Sequence, residues 1–223
     1  HFDLFVDEGH QEALICPFCG LSALKPSKGE YRDAYDHYLP KSLFPFTSMN
    51  FKNLVPTCQT CNSRSEKGDK PVIYNRKKRQ RVFFPFDTKL NINSIKLEIC
   101  PSTKYNIKSK STLLSQIQWE YSLKINNKKS IEVIQWENIY GIQRRSKEYM
   151  LSMEKSWFSW ILDRYKESIE DGVSFSKFKD RILLEAKKGI LSNEKGLMKY
   201  AYISYLLSQP KIEERLRATS SKT

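Results

Sequence analysis

The chain has 223 residues, 39% hydrophobic and 28% charged, with 38 Lys and Arg against 25 Asp and Glu and a formal net charge of +13. That length can bury a real core in one or two domains, and five cysteines, an odd number, argue against a secreted disulfide scaffold. No apolar run approaches the roughly 18 residues of a membrane helix and no signal peptide is read, so the expectation is a soluble, cytoplasmic protein without a membrane partner.

In chain order, residues 1–15 carry Phe2, Leu4, Phe5, Val6, Ala13, Leu14 and Ile15 and read as a short helix or strand leading into Cys16-Pro17-Phe18-Cys19. Residues 20–35 mix glycine, proline, serine and charge and read as loop. Ala34 to Leu39 is expected as a short strand ended by Pro40, and Asn50 to Val55 as a second one ended by Pro56. Asn62 to Lys70 is expected as a helix that stops at Gly68. Strands are expected over 82–84, 95–99, 118–125 and 131–136, with Asn126-Asn127 as a turn.

From about residue 137 the apolar spacing becomes helical, with Tyr149, Met150, Met153, Trp157, Trp160, Ile161 and Tyr165 at three- and four-residue steps. A second helix is expected from about Ser176 to Lys188 with Phe178, Ile182, Leu183 and Leu184 as its apolar side. A third runs from about Asn193 to Ser208 with Leu197, Tyr200, Ala201, Ile203 and Leu206, and Pro210 ends it. Residues 211–223 are polar and are expected to fray. The expected class is α+β, with a cysteine-bearing module over 1–75, a basic, strand-rich segment over 76–136 and a helical region over 137–223.

The positive charge is unevenly placed. Residues 1–70 hold 8 Lys and Arg against 9 Asp and Glu, residues 71–130 hold 13 against 3, and residues 131–223 hold 17 against 13. The excess begins with Arg76-Lys77-Lys78-Arg79-Gln80-Arg81, directly after the last cysteine pair, where a polyanion would meet it. The neighbouring Tyr74, Phe83, Phe84 and Phe86 read as core rather than base-stacking groups.

Four cysteines form two identical pairs, Cys16-x-x-Cys19 and Cys58-x-x-Cys61. Each pair supplies two thiolates from one tight turn, and together they fill a tetrahedral zinc site; the alternative is disulfides or unrelated buried thiols. Cys100 is left over. Thiolates in all four positions would make that site closed and structural. Between the pairs lies Asp36-His37-Tyr38-Leu39-Pro40, and Asn62 follows the second pair. A neutral imidazole suits proton abstraction from water near neutral pH, and the oxygens of Asp36 and Asn62 suit a hard ion such as magnesium or manganese. Lys41, Arg64, Lys67 and Lys70 are candidates for holding phosphates. Adjacent side chains on a regular strand face opposite ways, so Asp36 and His37 serve one site only if the backbone bends there. Taken alone, His37 reads as a structural histidine.

In order, Cys16-x-x-Cys19, Asp36-His37-x-x-Pro40, Asn53-Leu54-Val55-Pro56, Cys58-x-x-Cys61-Asn62 and Lys67-Gly68-Asp69-Lys70 resemble the zinc-stabilised branch of the HNH endonuclease family, with its ββα-metal fold. The resemblance covers about residues 13–70; nothing comparable identifies 71–223. It implies His37 as general base, Asp36 and Asn62 as ligands of a catalytic divalent ion, Asn53 as a structural asparagine near the base, and Cys16, Cys19, Cys58 and Cys61 as the structural zinc site. Asn62 stands where many members have histidine, and Glu66 one turn later is left between metal ligand, water-positioning group and solvent-facing residue.

The expected activity is metal-dependent phosphodiester hydrolysis in DNA, with the basic run Arg76, Lys77, Lys78, Arg79 and Arg81 extending the nucleic-acid track. Alternatives are an RNA- or tRNA-cutting antiphage effector working with an ATPase or sensor protein, and a non-catalytic zinc-ribbon binding module. A homodimer is a further possible assembly.

Overall fold

A computed structural model describes residues 15–25, 31, 33–75, 78–79, 82, 84, 95–101, 119–125 and 131–221. Among these are six short strands paired two by two and five α-helices, a mixed α+β arrangement. The chain divides into two compact units, residues 1–96, 123–145 and 191–195 in the first and 97–122, 146–190 and 196–223 in the second.

In the first unit β1 (Asp36–His37) pairs antiparallel with β2 (Leu54–Val55), Asp36 opposite Val55 and His37 opposite Leu54. Both strands are shorter than the sequence suggests. The residues before β2 wind into a 3-10 turn, Phe51–Asn53, whose first amide run is capped by Asn50 accepting from the Lys52 N–H at 3.0 Å. A second antiparallel pair joins β3 (Tyr74–Asn75) to β4 (Lys78–Arg79). The segment 61–69 is a run of turns rather than the expected helix. Serine hydroxyls divert its backbone: the Glu66 N–H donates to Ser63 Oγ at 3.3 Å instead of to a carbonyl one turn back. Gly68 then takes a positive φ of +47°.

Residues 131–136 also depart from expectation. They open helix α1 (Ile131–Tyr140), not a strand, and bury Val133, Trp136, Ile139 and Tyr140. The steps between those positions fit a helix, and the β-branched residues that suggested a strand are overridden by that packing. Gly141, at φ +57°, separates α1 from α2 (Ile142–Glu170). Glu137 closes the joint by accepting the Gln143 N–H at 2.6 Å.

A third strand pair, β5 (Ile95–Pro101) with β6 (Trp119–Ile125), matches the expected strands at 95–99 and 118–125. The expected strand at 82–84 and the turn at Asn126-Asn127 fall wholly or partly outside the described residues.

The second unit is built on α2, whose buried residues Met150, Glu154, Trp157, Ile161, Tyr165 and Ser168 recur every three or four positions. Phe178, Ile182 and Ala186 of α3 (Phe175–Ser192) and Tyr202, Ile203 and Leu206 of α4 (Gly196–Ser208) are buried in the same unit. Ring pairs Tyr165–Phe178 at 5.2 Å and Trp157–Tyr202 at 5.7 Å tie these helices together. A Cβ at Gly196 would sit 2.1 Å from the Gly189 carbonyl oxygen, so glycine is what lets these backbones approach. Leu184, expected on the apolar side of its helix, is 55% exposed. The tail expected to fray forms α5 (Ile212–Ser220), because Ile212 and Leu216 bury one side and Arg217 pairs with Glu213 at 3.1 Å. No helix is long and apolar enough to cross a membrane, among the described residues.

Candidate metal centre and the Asp36-His37 strand

The first cysteine pair lies on a tight turn in which the Gly20 N–H reaches the Cys16 carbonyl at 2.8 Å and Gly20 has φ +64°. The turn is closed by the Cys16 N–H donating to Ser22 at 2.9 Å and by an Ile15–Ala23 bridge. The second pair lies on a turn closed by the Asn62 N–H on the Cys58 carbonyl at 3.1 Å. Folding brings all four together. Cys16, Cys19, Cys58 and Cys61 are buried, unbridged, and have their sulfurs within 4.8 Å of one another.

The sulfur spacing fits zinc. Ligands about 2.3 Å from a tetrahedral ion are about 3.8 Å apart, and Cys19 Sγ lies 3.8 Å from Cys58 Sγ. A disulfide would bring sulfurs to about 2.0 Å. Donors that favour thiolates surround the set: Leu21 N–H to Cys19 at 3.4 Å, Cys58 N–H to Cys16 at 3.4 Å, and the Arg145 guanidinium to Cys61 at 3.3 Å. Burial works against the charge on Arg145, but the Cys61 sulfur outweighs it and holds its pKa above the ordinary value. Hydrogen bonding among the sulfurs, chiefly with Cys16, pushes the Cys58 thiol down and the Cys61 thiol up. A divalent cation is what lets four crowded thiolates coexist. Four buried cysteines in this arrangement could hold a zinc ion.

Residues 131–145, beyond the motif-bearing stretch, complete this centre. Trp136 Nε1 donates to the Phe18 carbonyl at 2.8 Å, and the Tyr140 ring packs 5.0 Å from the Phe18 ring. Lys70 Nζ donates to the Ile139 carbonyl at 3.1 Å, acting as a cap on α1 rather than as an open phosphate contact. The buried Glu66 carboxylate is bound by the Arg144 guanidinium. Nothing in the spacing of the cysteines points to Arg144, Arg145 or Trp136. The only available signal was the helical step among Val133, Trp136, Ile139 and Tyr140.

On β1 the alternation of a strand separates the two neighbours: Asp36 is buried and His37 half-buried. Lys67, expected among the phosphate-holding cations, is instead 1% exposed and donates to Asp36 Oδ1 at 2.7 Å and to the His37 carbonyl at 2.6 Å. Burial pushes the Asp36 carboxyl above the usual range, and Lys67 offsets this only in part. Asp36 Oδ2 is buried without a hydrogen-bond partner.

Asn53 locks the chain leaving His37. Its side chain accepts the Leu39 N–H at 2.7 Å and donates to the carbonyls of Leu39 at 3.1 Å and Thr47 at 3.2 Å. Asn62 is half-buried and donates its amide to the Ala34 carbonyl at 3.0 Å. Lys41 and Arg64 are exposed. Lys78 and Arg79 form β4, while Arg76, Lys77 and Arg81 lie outside the described residues. Among the described residues the four cysteines are the only His, Cys, Asp or Glu group of three or more gathered closely enough to hold a metal. No protein-family model, no curated protein and no solved structure matches the chain.

Proposed function

We propose that this protein is a metal-dependent endonuclease of the HNH type, hydrolysing phosphodiester bonds in DNA with His37 as general base. The observation that carries the reading is the placing of His37. It is a half-buried imidazole on a two-residue strand fixed from behind by the Lys67–Asp36 pair and from the following loop by Asn53. A general base needs such a held position and access to water. His37 would take a proton from the water whose oxygen bonds to phosphorus as the phosphorus–oxygen ester bond breaks.

Asp36 and Asn62 are the oxygen donors that would hold a magnesium or manganese ion; because β1 sets Asp36 and His37 on opposite sides, sharing one site with His37 requires the β1 backbone to bend when the ion binds. The orphaned Asp36 Oδ2 fits that role, since a hard cation is a partner for a buried carboxylate oxygen. When bound, such an ion supplies polarisation of the phosphate and stabilisation of the leaving oxygen. The cysteine centre serves the fold: it ties the two turns that flank β1 and β2. Exposed Lys41 and Arg64 supply cations for neighbouring phosphates.

Zinc-loaded protein incubated with DNA and RNA in parallel, with and without added magnesium or manganese, tests this reading. DNA cleavage that requires the added ion supports it. Cleavage of RNA alone turns it toward an RNA-cutting effector, and binding without cleavage of either turns it toward a non-catalytic zinc module.

A further inference from the structure

The segment between β1 and β2 exposes Leu43, Phe46, Met49 and Phe51 at 50%, 100%, 87% and 67%. Large apolar groups so fully presented on one short stretch mark a contact surface. The stretch is not loose. Leu43 and Phe44 N–H groups both reach the Pro40 carbonyl, at 3.0 and 2.8 Å, and the Thr47 N–H reaches Phe44 at 3.0 Å. Asn50 N–H donates to Thr47 at 3.0 Å and Asn53 N–H to Asn50 at 2.8 Å. Asn53's side chain bridges Leu39 and Thr47, and Pro45 opens a 3-10 turn, Pro45–Thr47. The apolar side chains are therefore held outward by a hydrogen-bonded frame that has already been ordered, which lowers the entropy lost on binding.

The charge around them selects the occupant. Lys41 and Lys52 flank the exposed groups, both exposed themselves, and no Asp or Glu occurs from Tyr38 to Ser65. Along the chain the apolar residues are interspersed with Ser42, Thr47, Ser48 and Asn50. Rings spaced among small polar groups and cations match a nucleic-acid strand with accessible base faces, bases on the rings and phosphates on the lysines. The segment begins at Tyr38, one residue after His37; the Tyr38 N–H donates to the Asn53 carbonyl at 2.9 Å, and Leu54, one residue after the segment's end, pairs with His37.

We propose that residues 41–52 form a base-stacking platform, with Phe46 as its principal ring, that takes unpaired bases next to the phosphate presented to His37. This rests on the endonuclease reading and narrows its substrate to DNA with single-stranded or unstacked nucleotides at the cut.

The test uses the zinc-loaded full chain carrying His37→Ala, so that substrate survives, and compares Phe46→Ala and Phe46→Trp added to it. Anisotropy of a labelled single-stranded oligonucleotide and of its blunt duplex is read across a salt series. Phe46→Ala weakens single-strand binding about 5- to 100-fold, Phe46→Trp restores it, duplex binding changes little, and the salt slope stays constant because no phosphate contact is lost. Equal loss on both nucleic acids, or no loss on either, overturns the platform. So does Phe46→Ala converting a dimer to a monomer in sedimentation, which would assign the patch to a second copy. A parent protein that cleaves nothing yet binds single strands through Phe46 removes the hydrolase reading and keeps the platform; a parent that cleaves normally with Phe46 neutral does the reverse.

Discussion

Lys67→Met probes the support beneath His37. Lys67 and Asp36 form an ion pair whose side chains are 1% and 6% exposed, so removing the ammonium leaves a carboxylate in a dry site. Breaking a buried pair from one side costs about 3–5 kcal/mol. The part-buried His37 carbonyl also loses its 2.6 Å charged donor, a bond of about 1.5–3 kcal/mol, not additive with the first figure. Asp36 can escape by binding a proton, which holds the total near the lower bound, about 3–4 kcal/mol.

The pH dependence follows in sign. The folded-state pKa of Asp36 is raised above its unfolded value, so the folded state favours the protonated acid and stability falls as pH rises through the folded pKa. The Lys67→Met deficit should therefore shrink as the solution is acidified. Equilibrium urea unfolding at fixed excess zinc, with amide spectra reading the first unit separately from the second, measures both effects. Lys67→Met combined with Asp36→Leu should recover most of the loss, because no lone charge remains. A single variant within about 1 kcal/mol of the parent, the range of an exposed pair, would refute the reasoning.

Two further changes test the surrounding frame. Gly141→Ala should destabilise the first unit by about 1–3 kcal/mol, since φ is +57° and the new Cβ would lie 2.9 Å from Glu66 Oε2; thermal unfolding reads it, and an unchanged midpoint would contradict it. Cys58→Ser should lower bound zinc below one ion per chain and loosen β1 and β2, read by elemental analysis together with hydrogen exchange, whereas full zinc retention would show that Cys58 is not a ligand.

The cysteine pairs were legible because their meaning lies in local spacing: each turn needs only three or four residues, and two such turns need only meet. Asn53 was marked only through the family resemblance, not by spacing, although its bonds reach no further than Leu39 and Thr47. Long-range partners were not legible. Lys67 looked like a surface cation in a polar run, yet it is buried against Asp36 31 positions away. Arg145, in the first turn of α2, and Trp136, on α1, join the cysteine module from 84 and 118 positions away, and the Ile and Val content of α1 imitates a strand. The turns at 61–69 replaced a helix because Ser63 competes for backbone donors, an effect invisible to helix propensity alone. In the second unit the helical stripe identified Met150, Trp157, Ile161 and Tyr165 correctly, but not that Glu154 would be buried among them.

The most direct test of the account is the cleavage rate of His37→Ala beside that of the parent, on DNA with added magnesium or manganese, with zinc content measured on the same samples. The candidate zinc set is Cys16, Cys19, Cys58 and Cys61 and does not include His37, so zinc content and substrate binding should hold while cleavage falls about 10²–10⁴-fold, the usual cost of a lost general base. Cleavage within a few-fold of the parent at equal zinc content would contradict it.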